Sequence, residues 1–169
     1  DIKPANVLLA ADGTPRLTDF GVAPIARLKS ITQTGVLTGT YSYLSPEACN
    51  GEETDARSDI WAFGVLLYEM LAGRRPFEES QVGAMIYAIL TKPAPELTQF
   101  RSDVPEALSE LMYKMLAKDR PQRIGSMRLV GAKLEAIIAA LRDDTAAAPP
   151  VRFPLTPPEQ PAPAIGPRH

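Results

Sequence analysis

The stretch 58–72 constrains this chain more than any other. Ile60, Trp61, Phe63, Val65, Leu66, Leu67, Tyr68, Met70 and Leu71 leave a helix there with almost no polar face. A helix that is apolar all round belongs inside a protein, so the remaining elements are expected to wrap it. Gly73 follows as its C-terminal stop.

The flanking sequence reads as helices and one hairpin. Val7-Leu8-Leu9 and Pro15-Arg16-Leu17-Thr18 stand on either side of Asp12-Gly13, a hairpin turn signal. Residues 21–39 carry no sustained period and read as a long loop, which inside a compact domain is usually functional. Residues 80–91 read as a second helix carrying Met85, Ile86, Ile89 and Leu90, stopped before Pro93. Asp103-Val104-Pro105-Glu106 reads as a third helix start with Asp103 as cap, followed by an apolar stripe of Leu108, Leu111, Met112, Met115 and Leu116. Residues 126–142 read as the last helix, with Leu134, Ile137, Ile138 and Leu141 facing inward. Beyond Asp144 prolines crowd the chain. The expectation is a domain over 1–142 and a Pro/Ala-rich, disordered or extended tail over 143–169.

Composition removes several functions. The formal net charge of -2 offers no basic field for nucleic acid or an anionic membrane. No apolar run approaches the ~20 residues of a membrane span. Cys49 is the single cysteine, so no internal disulfide forms, which fits a reducing, cytoplasmic setting. His169, the last residue, is the single histidine, which argues against histidine catalysis and histidine metal sites. The chain opens on Asp1 without an initiating Met, the pattern of a fragment or processed chain.

Short motifs carry the chemistry. In Asp1-Ile2-Lys3-Pro4-Ala5-Asn6, a carboxylate can accept a hydroxyl proton, an ammonium can neutralise phosphate oxygens and an amide can hold a metal. The same residues also make an ordinary polar loop. Asp19-Phe20-Gly21 follows the second strand; its carboxylate suits Mg²⁺, which takes hard oxygen ligands and phosphate, or simply a turn. Gly39-Thr40-Tyr41-Ser42-Tyr43-Leu44-Ser45-Pro46-Glu47 closes the long loop. Ser58-Asp59 opens the apolar helix, where Asp59 can be a plain N-terminal cap. Lys118-Asp119-Arg120-Pro121-Gln122-Arg123 lies before the last helix, and its basic residues would ordinarily be solvated.

Taken together, in this order and at these spacings, the five motifs resemble the protein kinase family over residues 1–142. The Asp-x-Lys-Pro-x-Asn form and Gly39-Thr40 are similar to serine/threonine kinases, and the 31–47 region to the bacterial eukaryotic-like group. The resemblance implies a mainly α fold: a kinase C-terminal lobe with a short β-hairpin and an activation loop. The N-terminal lobe, with its glycine-rich loop and strand lysine, is absent from these residues. It implies ATP and Mg²⁺ as cofactors and proteins with Ser/Thr acceptors as substrates. Asp1 would orient the acceptor hydroxyl, Lys3 steady the γ-phosphate, and Asn6 and Asp19 hold magnesium. Thr40 would brace Asp1 and Lys3, Asp59 be a buried carboxylate supporting the catalytic-loop backbone, and Glu47 and Arg123 form a structural ion pair. Thr32 and Thr34 are candidate phosphosites. A pseudokinase or scaffold module is the alternative, although Asp1, Lys3, Asn6 and Asp19 are all present. Without the other lobe, these residues alone are expected to be inactive. Membrane anchoring of a longer parent is left open.

Overall fold

The computed structural model describes residues 2–19 and 39–147, without the side chains of residues 39, 40 and 144–147. The expected 21–39 loop therefore lies almost wholly outside the described residues, as does the tail from residue 148 on. Strands β1 (Val7–Leu9) and β2 (Pro15–Leu17) pair antiparallel, with Val7 opposite Leu17, Leu8 opposite Arg16 and Leu9 opposite Pro15. Their turn is held locally. The Asp12 carboxylate accepts from the Thr14 N–H at 2.9 Å, and the Gly13 N–H donates to the Ala10 carbonyl at 2.9 Å.

The α-helices among the described residues are α1 (Pro46–Cys49), α2 (Ala56–Ala72), α3 (Val82–Thr91), α4 (Glu106–Met115) and α5 (Met127–Ala147). Helix α2 is the expected central element. Asp55, rather than Asp59, is its N-cap and accepts from the Arg57 N–H at 2.8 Å. At the other end Gly73 takes φ 70° and its N–H closes on the Glu69 carbonyl, a left-handed stop that glycine adopts without Cβ strain. Ile60, Trp61, Val65 and Tyr68 are fully buried. Gly64 lets α4 come close, since a Cβ there would stand 3.0 Å from the Met115 Cβ.

The helix is nevertheless not covered all round. Phe63 and Leu66 are half-buried and Met70 is 65% exposed, so one stripe starting at Asp59 faces outward. Composition reported the absence of a polar face; it did not report where neighbours stop.

Two other expectations need correction. Asp103 does not cap α4. Pro105 occupies the N-cap position without a side-chain bond, while Asp103 is engaged by the Arg101 guanidinium at 2.6 and 2.8 Å. A two-pronged charged partner two residues away outcompetes the backbone N–H groups. Helix α5 runs past Arg142 to Ala147. Val130 is buried and Leu134 and Ile137 pack against the core, but Ile138 and Leu141 are 46% and 43% exposed. The apolar stripe of α5 outlasts the body that covers its first half.

Candidate functional site at the open end of the hairpin

The hairpin's open end brings together residues that are distant in sequence. Pro4–Asn6 forms a tight 3-10 turn, and the Asn6 N–H donates to the Lys3 carbonyl at 3.0 Å. Strand β1 begins at the next residue. Across from it, Thr18 donates both its N–H (2.8 Å) and its hydroxyl (3.2 Å) to the Asn6 carbonyl. These two bonds extend the ladder by one step, pairing Asn6 with Thr18, the residue before Asp19. The Asn6 side chain is buried, whereas Asp19 is exposed. Asp19 also takes φ 51°, the left-handed region that a residue with a Cβ seldom adopts. Such a conformation costs of order 1 kcal/mol or more and is concentrated at functional sites.

The pair is chemically simple: one amide oxygen and one carboxylate, both hard donors, with an ammonium at Lys3 on the same turn. That set suits Mg²⁺, which keeps several waters and takes the rest of its ligands from phosphate. Among the described residues no group of three or more His, Cys, Asp or Glu gathers to hold a metal, at this site or another. Asp1, Thr32 and Thr34 lie outside the described residues. Thr40 lies in the 3-10 turn Gly39–Tyr43. Asp59 is exposed in the first turn of α2, on the stripe no described element covers, and is not the buried carboxylate expected.

A second cluster braces the helical body. Arg123 and Glu47, both buried, form a two-pronged ion pair at 2.8 and 3.0 Å. The Ser58 hydroxyl donates to the same carboxylate at 2.6 Å. Arg123 spends its other donors on the carbonyls of Ala117 (3.1 Å) and Arg57 (2.8 Å), so one guanidinium ties α1, α2 and the 117–123 connection. Burial pushes the Glu47 carboxyl up, but the hydrogen bonds from Arg123 and Ser58 more than reverse that and bring it to about 2. The basic residues of 118–123 are thus not simply solvated, contrary to their bland reading. Lys118 is half-buried, its ammonium 3.9 Å from the Phe77 ring centre and 4.9 Å from that of Trp61. A groove of about 440 Å³ opens between α1 and residues 118–121. Its arginines are already occupied: Arg57 holds Asp55 at 2.8 Å and Arg120 holds Glu52 at 3.0 Å.

The sequence matches the protein kinase domain over residues 1–134. The chain belongs to the protein kinase family. Among its relatives, serine/threonine-protein kinase PknL of Mycobacterium tuberculosis is 38% identical over 141 residues, covering 83% of this chain and 35% of PknL. The probable serine/threonine-protein kinase PknB of Lactococcus lactis is 37% identical over 123 residues, covering 73% of this chain and 20% of PknB. PknD of M. tuberculosis is 40% identical over 127 residues, covering 75% of this chain and 19% of PknD. The chain thus spans about a third or less of these bacterial serine/threonine kinases. The mainly α architecture with a two-stranded hairpin among the described residues fits the C-terminal lobe of a kinase. No helix among the described residues is long and apolar enough to cross a membrane.

Sequence reasoning left three contacts of this kinase body unread. They are the Ser58 bond to Glu47, the bond from the Tyr43 hydroxyl to Glu69, and the seat of Lys118 on two aromatic rings. Only the last had a signal in the sequence, a proline discussed below.

Proposed function

We propose that this chain supplies the catalytic and metal-binding half of a serine/threonine protein kinase, which transfers the γ-phosphate of ATP to Ser/Thr hydroxyls of proteins. The observation that carries the reading is the pair of hydrogen bonds from Thr18, the neighbour of left-handed Asp19, to the carbonyl of buried Asn6 at the hairpin's open end. In this reading Asn6 and Asp19 hold Mg²⁺ against the nucleotide phosphates. The ion supplies charge neutralisation and a fixed geometry for the transferring group. Asp1 accepts a hydrogen bond from the acceptor hydroxyl and aims its oxygen along the line of attack. Lys3 offsets charge on the γ-phosphate oxygens. Thr40 braces Asp1 and Lys3, and Asp59 supports the turn that carries them. Little covalent work falls to the protein, so positioning and charge account for most of the rate.

The glycine-rich loop and strand lysine that clamp ATP from above are not among these 169 residues. The decisive measurement therefore uses a protein containing the complete catalytic domain, with ATP, magnesium and a protein acceptor. Asp1→Asn and Asp19→Ala are each expected to lower transfer more than ~100-fold, the scale of a positioned acid–base or charge-stabilising group. Turnover near that of the unmodified protein in either variant refutes the assignment. All four polar groups, Asp1, Lys3, Asn6 and Asp19, are retained, which favours an active enzyme over a scaffold that has lost transfer. Dependence on ATP makes the cytoplasm the natural location.

A further inference from the structure

Helix α3 ends in a way its own backbone cannot complete. In an α-helix each carbonyl accepts from the N–H four residues on. The Ala88 carbonyl does so from Lys92 at 2.9 Å, but the residue four beyond Ile89 is Pro93, which has no N–H to give. Ile89 is fully buried, so water is a poor substitute at its carbonyl. The ammonium of Lys118, from the α4–α5 connection, fills the position. It donates to the Ile89 carbonyl at 2.5 Å and reaches the Ala88 carbonyl at 3.4 Å. Its seat is the Trp61–Phe77 stack, whose ring centres lie 5.9 Å apart and whose planes differ by 6°. One cation therefore meets two aromatic rings and the negative end of a helix.

We propose that Lys118 is the positioning residue of α3, a charge latch that replaces the amide hydrogen Pro93 lacks and fixes the helix's last turn to the body. Apart from three core side chains, α3 is held at its C-cap by the exposed Lys92–Glu79 pair at 2.7 Å, which leaves the Ile89 carbonyl to Lys118. Of the helix's ten residues only Met85, Ala88 and Ile89 are buried, and no ion pair involves any of the ten among the described residues. Burial pushes the Lys118 ammonium down to about 8, with Arg123 acting in the same direction and Cys49 against it. The group therefore still carries its charge at neutral pH. The latch also accounts for a lysine kept half-buried beside Arg123, whose like charge lies 5.3 Å from the Trp61 ring centre. A solvated lysine would have no reason to be there.

The test compares residues 1–169 with Lys118→Met, which keeps the length of the aliphatic stem and removes the cation. Amide hydrogen exchange is followed along the chain. Loss of a charge-assisted bond to a buried carbonyl is expected to speed exchange in the last turn of α3, including Lys92, by about tenfold or more. The buried middle of α2 serves as the internal reference and is expected to hold its rate. Equal protection of α3 in both proteins overturns the latch. Should Lys118→Met fail to fold, the unmodified protein still decides. The Lys118 ammonium lies 3.9 and 4.9 Å from two ring centres, so the adjoining ε-methylene protons are expected upfield in a proton spectrum, and an ordinary lysine shift there refutes the geometry.

Discussion

Arg123→Met is the perturbation that most directly questions the helical body. The substitution keeps an unbranched apolar stem and leaves the Glu47 carboxylate buried with Ser58 as its remaining side-chain donor. Two estimates of the cost agree. Removing one partner of a buried pair typically costs about 3–5 kcal/mol, because the survivor is an uncompensated charge. Independently, the Glu47 carboxyl falls from its ordinary 4.5 to about 2 in the folded protein. At ~1.36 kcal/mol for each pH unit, that drop is worth about 3 kcal/mol of folding free energy. The sign follows from proton counting. A carboxyl depressed on folding stabilises the native state above its unfolded value of about 4.5, and that stabilisation is lost as pH falls toward 2. Urea unfolding at pH 7 is therefore expected to show Arg123→Met destabilised by about 3–5 kcal/mol, roughly 10 °C in melting temperature for a chain of this size. The unmodified protein should lose about 3 kcal/mol more between pH 5 and pH 2 than Arg123→Met loses. A double variant, Glu47→Gln with Arg123→Met, should be less destabilised than the sum of its parts. A loss below ~1 kcal/mol, or an unchanged acid limb in the variant, would mean that the pair is not the brace its geometry describes.

Two further outcomes follow from named groups. Burial, with the negative charge of Glu47 adding to it and Lys118 opposing, pushes the Cys49 thiol up to about 12. Allowing for the higher nucleophilicity of a more basic thiolate, alkylation by iodoacetamide at pH 8 should run roughly 30-fold slower than for free cysteine, followed by mass shift; a rate equal to the free amino acid refutes the burial. In an active kinase carrying these residues, mass spectrometry is expected to find phosphate on Thr32 or Thr34, since a charge near -2 can order an activation loop against arginine. Full activity with neither residue modified refutes that role.

What was legible in the sequence was local, and what was not depended on range. The hairpin needed only Asp12-Gly13 between apolar runs, and its ladder then decides the pairing at the open end, so Asn6 meets Thr18, next to Asp19, by local rules. Helix α2 followed from composition, because nine large apolar residues within 58–72 need a core, although composition did not show which of them it would cover. The Glu47–Arg123 pair spans 76 positions, and no local rule links two such charges; only the family resemblance suggested them. Asp103 was misread because capping was weighed against nothing, whereas Arg101 competes for the same carboxylate. Ile138 and Leu141 were misread because periodicity gives the direction of a stripe but not the length of the body beneath it.

Lys118 is the instructive case between these limits. Its neighbours in sequence are charged, and local reasoning leaves it in water. Yet Pro93 already announces a carbonyl without a donor at Ile89, and the apolar character of α3 announces that this carbonyl is buried. A buried orphan acceptor at a helix C-terminus calls for a cation with reach, and lysine has both the charge and the stem. Sequence states the demand at residue 93; only the fold reveals that the group answering it stands at residue 118.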